Sequence, residues 1–85
     1  MILYSNAPEL DLHGLDSEYG RILVNEFIED NYKLKNEYIV IVHGKGTGIL
    51  KKMVQSTLKN NKFVLEYKID NFNDGATIVK LDLKK

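Results

Sequence analysis

The stretch Tyr38–Val42 constrains the fold more than any other part of the sequence. Its residues, YIVIV, are all apolar, so an extended chain here has apolar side chains on both faces. Strands of this kind are typical of the centre of a parallel sheet that helices cover. The run is also far shorter than the roughly 20 apolar residues of a membrane-spanning helix. It predicts a central strand, parallel to its neighbour, and gives no indication of a membrane partner.

Periodic patterns flank this strand on both sides. Residues 9–13 alternate polar and apolar side chains, which predicts a strand with one buried face. A helix is predicted from Asp16 or Ser17 to about Tyr32, because either residue suits an N-cap and apolar side chains follow at helical spacing. The residues expected on the buried stripe of this helix are Tyr19, Ile22, Leu23, Val24, Phe27 and Ile28. The pattern therefore gives one strand and one helix before the central strand.

The second half of the chain predicts a further helix and a hairpin. The helix opens at Ile49 and ends at the Asn60-Asn61 pair, with Leu50, Met53, Val54 and Leu58 on its buried face. Residues 63–70 and 76–83 alternate as strands, and Asn73-Asp74-Gly75 between them has turn chemistry, so we expect a five-residue hairpin loop.

The predicted order is β-α-β-α-β-β. Right-handed crossovers place both helices on one face of the sheet, and the hairpin makes the last strand antiparallel. The fold class is α/β, in the form of an α+β two-layer sandwich with a mixed four-stranded sheet. We expect residues 1–8 to form a loose N-terminal arm and residues 9–85 to form one domain, since 85 residues leave no room for a second.

Composition excludes several classes of site. The absence of cysteine excludes disulfides, thiolate zinc sites and a cysteine nucleophile. Twelve basic residues balance twelve acidic ones, so the overall charge gives no argument for nucleic acid. The N-terminus has neither the basic region nor the long apolar region of a signal peptide. We therefore expect a cytoplasmic protein.

Charge is unevenly distributed along the chain. Residues 1–37 hold eight acids and three bases, whereas residues 38–85 hold four acids and nine bases. No acid lies between Tyr38 and Leu65, where five lysines occur: Lys45, Lys51, Lys52, Lys59 and Lys62. This pattern indicates a local basic surface on and around the second helix, where a polyanion could dock through its phosphates. The alternative is an ordinary solvated helix face.

The first and second predicted strands both end in His-Gly, and each is followed by a helix. If the strands are parallel, His13 and His43 emerge at the same edge of the sheet, where ligands of open α/β sheets bind. The loop after the central strand, Gly44-Lys45-Gly46-Thr47-Gly48, lets backbone N–H groups approach an anion, and it leads into a helix N-terminus that favours phosphate. It lacks the GxxxxGK[ST] and GxGxxG spacings. The alternative is a tight connection whose glycines only satisfy backbone geometry.

Asp11 and His13 lie two apart on a strand, so they share the face opposite Leu10 and Leu12. A carboxylate beside an imidazole can orient it as a general acid or base, and the pair could also hold a divalent metal ion. The alternative is a solvated strand face that carries no chemistry. His43 is a second candidate for proton transfer, or else a residue that hydrogen-bonds the loop backbone.

Three blocks of the sequence together resemble the Smr domain, the small MutS-related domain. They are LDLHG from Leu10, HGKGTG from His43 and GATIV from Gly75, and the resemblance covers residues 9–83. It implies a fold similar to the C-terminal domain of translation initiation factor 3. Members often have Glu-Ala where this chain has Tyr19-Gly20. Glu18 could take the place of that glutamate only by a shift of one position around the helix.

The resemblance implies binding to DNA or RNA and endonuclease activity, as a stand-alone protein or beside the ATPase domains of a MutS-type chain. It implies that Asp11, His13 and His43 are the catalytic residues, with Mg²⁺ or Mn²⁺ at Asp11 if a metal takes part. The expected phosphate-binding residues are Gly44, Lys45, Gly46, Thr47, Gly48, Lys51 and Lys52. The alternatives are a non-catalytic module that binds nucleic acid or the ribosome and, as a weaker reading, a domain that binds a small phosphate ligand.

Overall fold

A computed structural model describes residues 6–84 of the chain. Its elements follow the predicted order. They are β1 (Glu9–Asp11), α1 (Ser17–Lys33), β2 (Tyr38–Val42), α2 (Ile49–Lys59), β3 (Val64–Asp70) and β4 (Asn73–Leu81). The sequence-predicted arm lies mostly outside the described residues, since only Asn6, Ala7 and Pro8 of it are described.

The four strands form one mixed sheet in the order β1-β2-β4-β3. β1 and β2 are parallel, with Asp11 opposite Val42, and β4 runs antiparallel to both β2 and β3. The prediction of a two-layer α+β fold with an antiparallel last strand is confirmed. Because β1 and β2 are parallel neighbours, their carboxyl ends lie side by side, and both lead into helices at the same edge.

The main core lies between the sheet and the two helices. Its fully buried members come from every layer: Leu12, Val24, Ile28, Ile39, Ile41, Val54, Leu58, Val79 and Leu81. The predicted buried face of α1 was wrong at two positions, because Tyr19 and Ile22 are about half exposed. The helix instead turns Gly20 toward α2, where an added Cβ would lie 3.0 Å from the Met53 side chain. The missing side chain at Gly20 lets the two helices approach closely.

The hairpin turn lies earlier than predicted. The structure joins Asp70 directly to Asn73 as a strand pair, so the loop is the two residues Asn71 and Phe72 rather than a five-residue segment around Asn73-Asp74-Gly75. The Asn73 side chain accepts from the Gly75 N–H at 3.0 Å, so the turn-forming asparagine acts at the start of β4. β1 is also shorter than predicted, and His13 lies just beyond it. No helix of the described part of the chain is long and apolar enough to span a membrane.

Candidate functional site

A cleft of about 550 Å³ lies at the carboxyl ends of β1 and β2, between the first turns of α1 and α2. His13–Ser17 line one side and His43–Lys51 line the other. The two connections touch, because a Cβ added at Gly44 would lie 3.2 Å from the Cβ of His13. Gly44 also has φ +81°, a backbone conformation that side chains disfavour. The fold therefore places both His-Gly dipeptides at one cleft, as their positions in the sequence predict.

On the β1 side, His13 is held by Asp11. The Asp11 carboxylate accepts from the His13 backbone N–H at 3.1 Å, and its Oδ1 lies 2.9 Å from His13 Nδ1. Both side chains are more than half exposed. The hydrogen bonds from His13 hold the pKa of Asp11 below its ordinary value. Since a carboxylate can only accept, Nδ1 carries the proton in this contact and Nε2 of the neutral ring keeps its lone pair.

On the β2 side, His43 is only 3% exposed. Its Nδ1 lies 3.1 Å from the Gly44 carbonyl oxygen, and its Nε2 lies 2.9 Å from Thr77 Oγ1. A carbonyl only accepts, so Nδ1–H donates to Gly44 and Nε2 accepts from the Thr77 hydroxyl. Both ring nitrogens are thus engaged in contacts that hold the start of the glycine loop.

Gly75 fixes the same loop from β4. Its carbonyl accepts from the backbone N–H groups of His43 and Gly44, at 2.8 and 2.9 Å. A Cβ here would lie 3.2 Å from the Gly44 carbonyl carbon and from Lys45 Cγ. The three sequence blocks are therefore in contact. Gly75 of the GATIV block supports the glycine loop of the HGKGTG block, and that loop faces His13 of the LDLHG block.

Lys45 is the cation of the glycine loop, and it has a partner that the sequence did not reveal. Its Nζ lies 3.3 Å from Asp74 Oδ1, and both side chains are about 70% exposed. An exposed pair of this kind contributes at most about 1 kcal/mol. Lys45 can therefore exchange Asp74 for a stronger anion at little cost.

The two helix N-termini at the cleft differ. α1 is capped by Asp16, whose carboxylate accepts from the Tyr19 N–H at 3.2 Å. α2 begins at Ile49 after the N-cap residue Gly48, which has φ 87°, and it has neither a side-chain N-cap bond nor an acid in its first turn. Lys51 of α2 lines the cleft as well. The Ile49 N–H donates to Thr47 Oγ1 over a long 3.4 Å. With its positive dipole end and no acid beside it, the N-terminus of α2 is the better of the two for an anion.

The donor atoms near Asp11 do not build a metal site by themselves. Residues 6–84 contain no group of three or more His, Cys, Asp or Glu side chains that could hold a metal ion. Oδ1 of Asp11 is already bonded to His13. Glu18, the carboxylate one position from the place of the family's glutamate, is paired with Arg21 of the same helix, which lowers the pKa of Glu18.

Most of the sequence-predicted site residues meet at the cleft. Asp11 does not line it and reaches it only through its contact with His13. Lys52 lies apart, in a groove outside α2 lined by Lys52, Gln55, Ser56, Lys59, Asn60 and Tyr67. Sequence reasoning missed Asp74 as the partner of Lys45, and it gave Thr77 no role beyond its place in the GATIV block. The local sequence carries no signal for the His43–Thr77 contact, since 34 positions separate the two residues.

Comparisons with known proteins identify relatives of this chain. The chain is 35% identical over 83 residues to "Endonuclease MutS2" of Clostridium acetobutylicum, covering 96% of this chain and 10% of that protein. It is 41% identical over 75 residues to the protein of the same name from Clostridium botulinum, covering 85% and 10%. The chain therefore spans about a tenth of the length of these curated relatives.

Two solved structures share the fold. The Smr domain of Thermus thermophilus MutS2 matches with a TM-score of 0.86 and 28% identity, covering 89% of this chain and 99% of that one. YdaL, a stand-alone small MutS-related protein from Escherichia coli, matches with 0.82 and 26%, covering 86% and 63%. The family model described as the Smr domain matches residues 10–82. With the three blocks joined at one cleft, the chain belongs to the Smr domain family.

Proposed function

We propose that this Smr domain binds nucleic acid and cleaves its phosphodiester backbone as an endonuclease. The observation that carries the proposal is the cleft itself, where an oriented histidine faces an uncapped, acid-free helix N-terminus across a glycine loop. The name of the MutS2 relatives supports the same activity.

The scissile phosphate is held on the α2 side of the cleft. Backbone N–H groups of the glycine loop and the first turn of α2 donate to its oxygens, and Lys45 and Lys51 add positive charge. As charge builds on the phosphate in the transition state, Lys45 leaves Asp74 and stabilises that charge. Lys52 and Lys59, on the outer face of α2, extend the basic surface to the phosphates of flanking nucleotides.

His13 acts as the general base on the other side of the cleft. Asp11 orients the ring through Nδ1. Nε2 takes a proton from the attacking group, which is a water molecule or, in RNA, a 2′-hydroxyl group. The attacking oxygen forms a bond to phosphorus, the bond to the leaving oxygen breaks, and that oxygen is protonated from solvent. His13 Nε2 has no hydrogen-bond partner among residues 6–84, so it is available for this role.

We assign His43 a positioning role in place of a share in proton transfer. Its burial and its two engaged nitrogens support this role, because a general base must present a free lone pair to the proton that it removes. Through Gly44, His43 fixes the loop whose N–H groups meet the phosphate.

A divalent ion at this site would need oxygen ligands from the substrate. Asp11 offers one carboxylate, and Mg²⁺ commonly binds one or two carboxylates together with substrate phosphates. Such an ion, Mg²⁺ or Mn²⁺, would supply further charge stabilisation at the phosphate. The EDTA condition of the cleavage assay tests whether the reaction requires this ion.

The second candidate function is a non-catalytic module that binds nucleic acid or the ribosome. It is favoured because His13 has a ring nitrogen without a partner, whereas both ring nitrogens of His43 are engaged. The cleft therefore has one histidine to act as a base and no second histidine to protonate the leaving group. The length of the curated relatives is consistent with such a module acting beside other domains, among them the ATPase domains of a MutS-type chain.

The test is cleavage of labelled single-stranded, duplex and branched DNA and RNA with Mg²⁺, Mn²⁺ or EDTA. His13→Ala should lower the cleavage rate at least about 100-fold, the usual contribution of a general base. Glu9→Ala, an exposed change at the other end of β1, is the matched control and should cleave like wild type. Cleavage that survives His13→Ala contradicts the role of His13. Salt-sensitive binding without cleavage by any variant selects the non-catalytic module.

A further inference from the structure

The β3–β4 hairpin extends past the carboxyl end of β2, on the side of the cleft. The last residue of β2, Val42, pairs with Ala76, so residues 71–74 extend beyond the end of β2. This is the edge at which β2 passes into the glycine loop, and the Lys45–Asp74 ion pair joins the hairpin to that loop.

The tip of this hairpin is held by several hydrogen bonds. The Asp70 carboxylate accepts from the Phe72 N–H at 2.9 Å, and the Asn73 side chain accepts from the Gly75 N–H at 3.0 Å. Gly75 in turn binds the loop backbone at His43 and Gly44. The tip therefore has a defined backbone position relative to the glycine loop.

Phe72 occupies this tip with its ring in solvent. It is 92% exposed, the largest value among the exposed large apolar residues of the described chain. Within residues 6–84, the Phe72 ring makes no ring–ring or cation–π contact. An aromatic side chain in this position contributes nothing to the core, whereas burying it against another surface would be favourable.

We propose that Phe72 stacks on an unpaired base of the nucleic acid strand whose phosphate lies at the glycine loop. The inference rests on the proposed function, and it adds a preference for single-stranded substrate. A base in a single strand can offer its flat face to an aromatic ring, whereas a base inside a duplex is stacked on both sides. Asp70 and Asp74 beside the tip repel phosphate, so the ring meets the base while the backbone follows the lysines.

The experiment compares binding of a labelled single strand of about 12 nucleotides with binding of its blunt duplex, by fluorescence anisotropy. Phe72→Ala should weaken single-strand binding about five- to hundredfold, the range for loss of one base–aromatic contact, and should leave duplex binding within about twofold. Phe72→Trp should retain single-strand affinity, while Phe72→Leu, which is apolar without a ring, should lose it. Leu34→Ala is the matched control, because Leu34 is 70% exposed and lies at the C-terminal end of α1, away from the cleft.

The outcomes separate the two proposals. Unchanged single-strand binding by Phe72→Ala, or equal loss on single strand and duplex, overturns the stacking role while wild-type binding still supports the proposed function. Full retention by Phe72→Leu also overturns it, since the ring would then be dispensable. Absence of nucleic-acid binding by the wild type refutes the proposed function, and the stacking role with it. A change of oligomeric state in Phe72→Ala, by sedimentation, would show that the ring contacts a second copy and would also overturn the proposal.

Discussion

The two strand-to-helix connections of this domain contain the same dipeptide, His-Gly, and use it in opposite ways. After β1, His13 is exposed and paired with a carboxylate, and the helix that follows is capped by Asp16. After β2, His43 is buried between Gly44 and Thr77, and the helix that follows has Gly48 as its N-cap residue, without a side-chain cap. One connection presents a side chain to the cleft, while the other presents backbone.

The difference follows from where each strand lies in the sheet. β1 is an edge strand, so His13, two residues after its end, has no second neighbouring strand and turns toward solvent. β2 lies between β1 and β4, so the residue after it packs against β4 and meets Thr77. Identical local sequences thus acquire different chemistry from the strands beside them. The following predictions test this division, from the largest expected effect to the smallest.

The largest effect is expected at His43. His43→Ala removes a buried ring and leaves the Thr77 hydroxyl without its acceptor, so we expect a loss of about 2–4 kcal/mol in the free energy of unfolding. His13→Ala, at the exposed counterpart, should change it by less than about 0.5 kcal/mol. Urea unfolding followed by circular dichroism measures both.

A milder variant covers the case in which His43→Ala does not fold. Thr77→Val keeps the shape of the side chain but removes the hydroxyl that donates to His43, and should cost about 1–2 kcal/mol. Equal stabilities for the His43 and His13 variants would contradict the division between a structural and an exposed histidine.

The second effect concerns the support of the glycine loop. An alanine Cβ at Gly75 would lie 3.2 Å from backbone of the loop, so Gly75→Ala should destabilise the domain by about 1–3 kcal/mol. Gly46→Ala is the matched control, because a Cβ there meets nothing within 4 Å, and it should be neutral or stabilise by up to about 1 kcal/mol. The same unfolding assay decides, and a Gly75→Ala variant as stable as Gly46→Ala would show that the loop is not clamped by β4.

These two predictions also show what the sequence could and could not reveal. The element order, the parallel pair and the meeting of His13 with the glycine loop follow from periodicity and from strand direction. The position of the turn did not follow from the sequence, because the Asn73 side chain can accept from the Gly75 N–H inside a strand as well as in a loop. The partners of His43 and Lys45 did not either, since both come from β4, more than 25 positions along the chain.

The third effect concerns the helix caps. Asp16→Ala removes the side chain that accepts from the Tyr19 N–H and should destabilise the domain by about 1 kcal/mol. Thr47→Ala should cost less than about 0.5 kcal/mol, because its Oγ1 is a long 3.4 Å from the Ile49 nitrogen. If both substitutions cost the same, the start of α2 is capped as well as that of α1, and the argument that it is free to bind an anion fails.

The smallest effect is the titration of Asp11, which is measured at the carboxyl carbon by NMR. Hydrogen bonds from His13 lower the pKa of Asp11 in the folded protein, so we expect it below the ordinary aspartate value in the wild type and near that value in His13→Ala. Glu18 is an internal control, because its pKa is lowered by Arg21 and should be the same in both proteins.

The sign of the stability effect follows from that shift. A carboxyl group with a lowered folded-state pKa stabilises the fold at pH values above its ordinary pKa, and this contribution disappears as the pH falls through the folded pKa. Wild type should therefore be slightly more stable than His13→Ala at pH values above the ordinary aspartate pKa, and this difference should disappear as the pH falls through the lowered pKa of Asp11. An Asp11 carboxyl that titrates at the ordinary value in the wild type would mean that the Asp11–His13 contact does not persist in solution. The β1 connection would then present an unoriented histidine, and the two connections would differ only in burial.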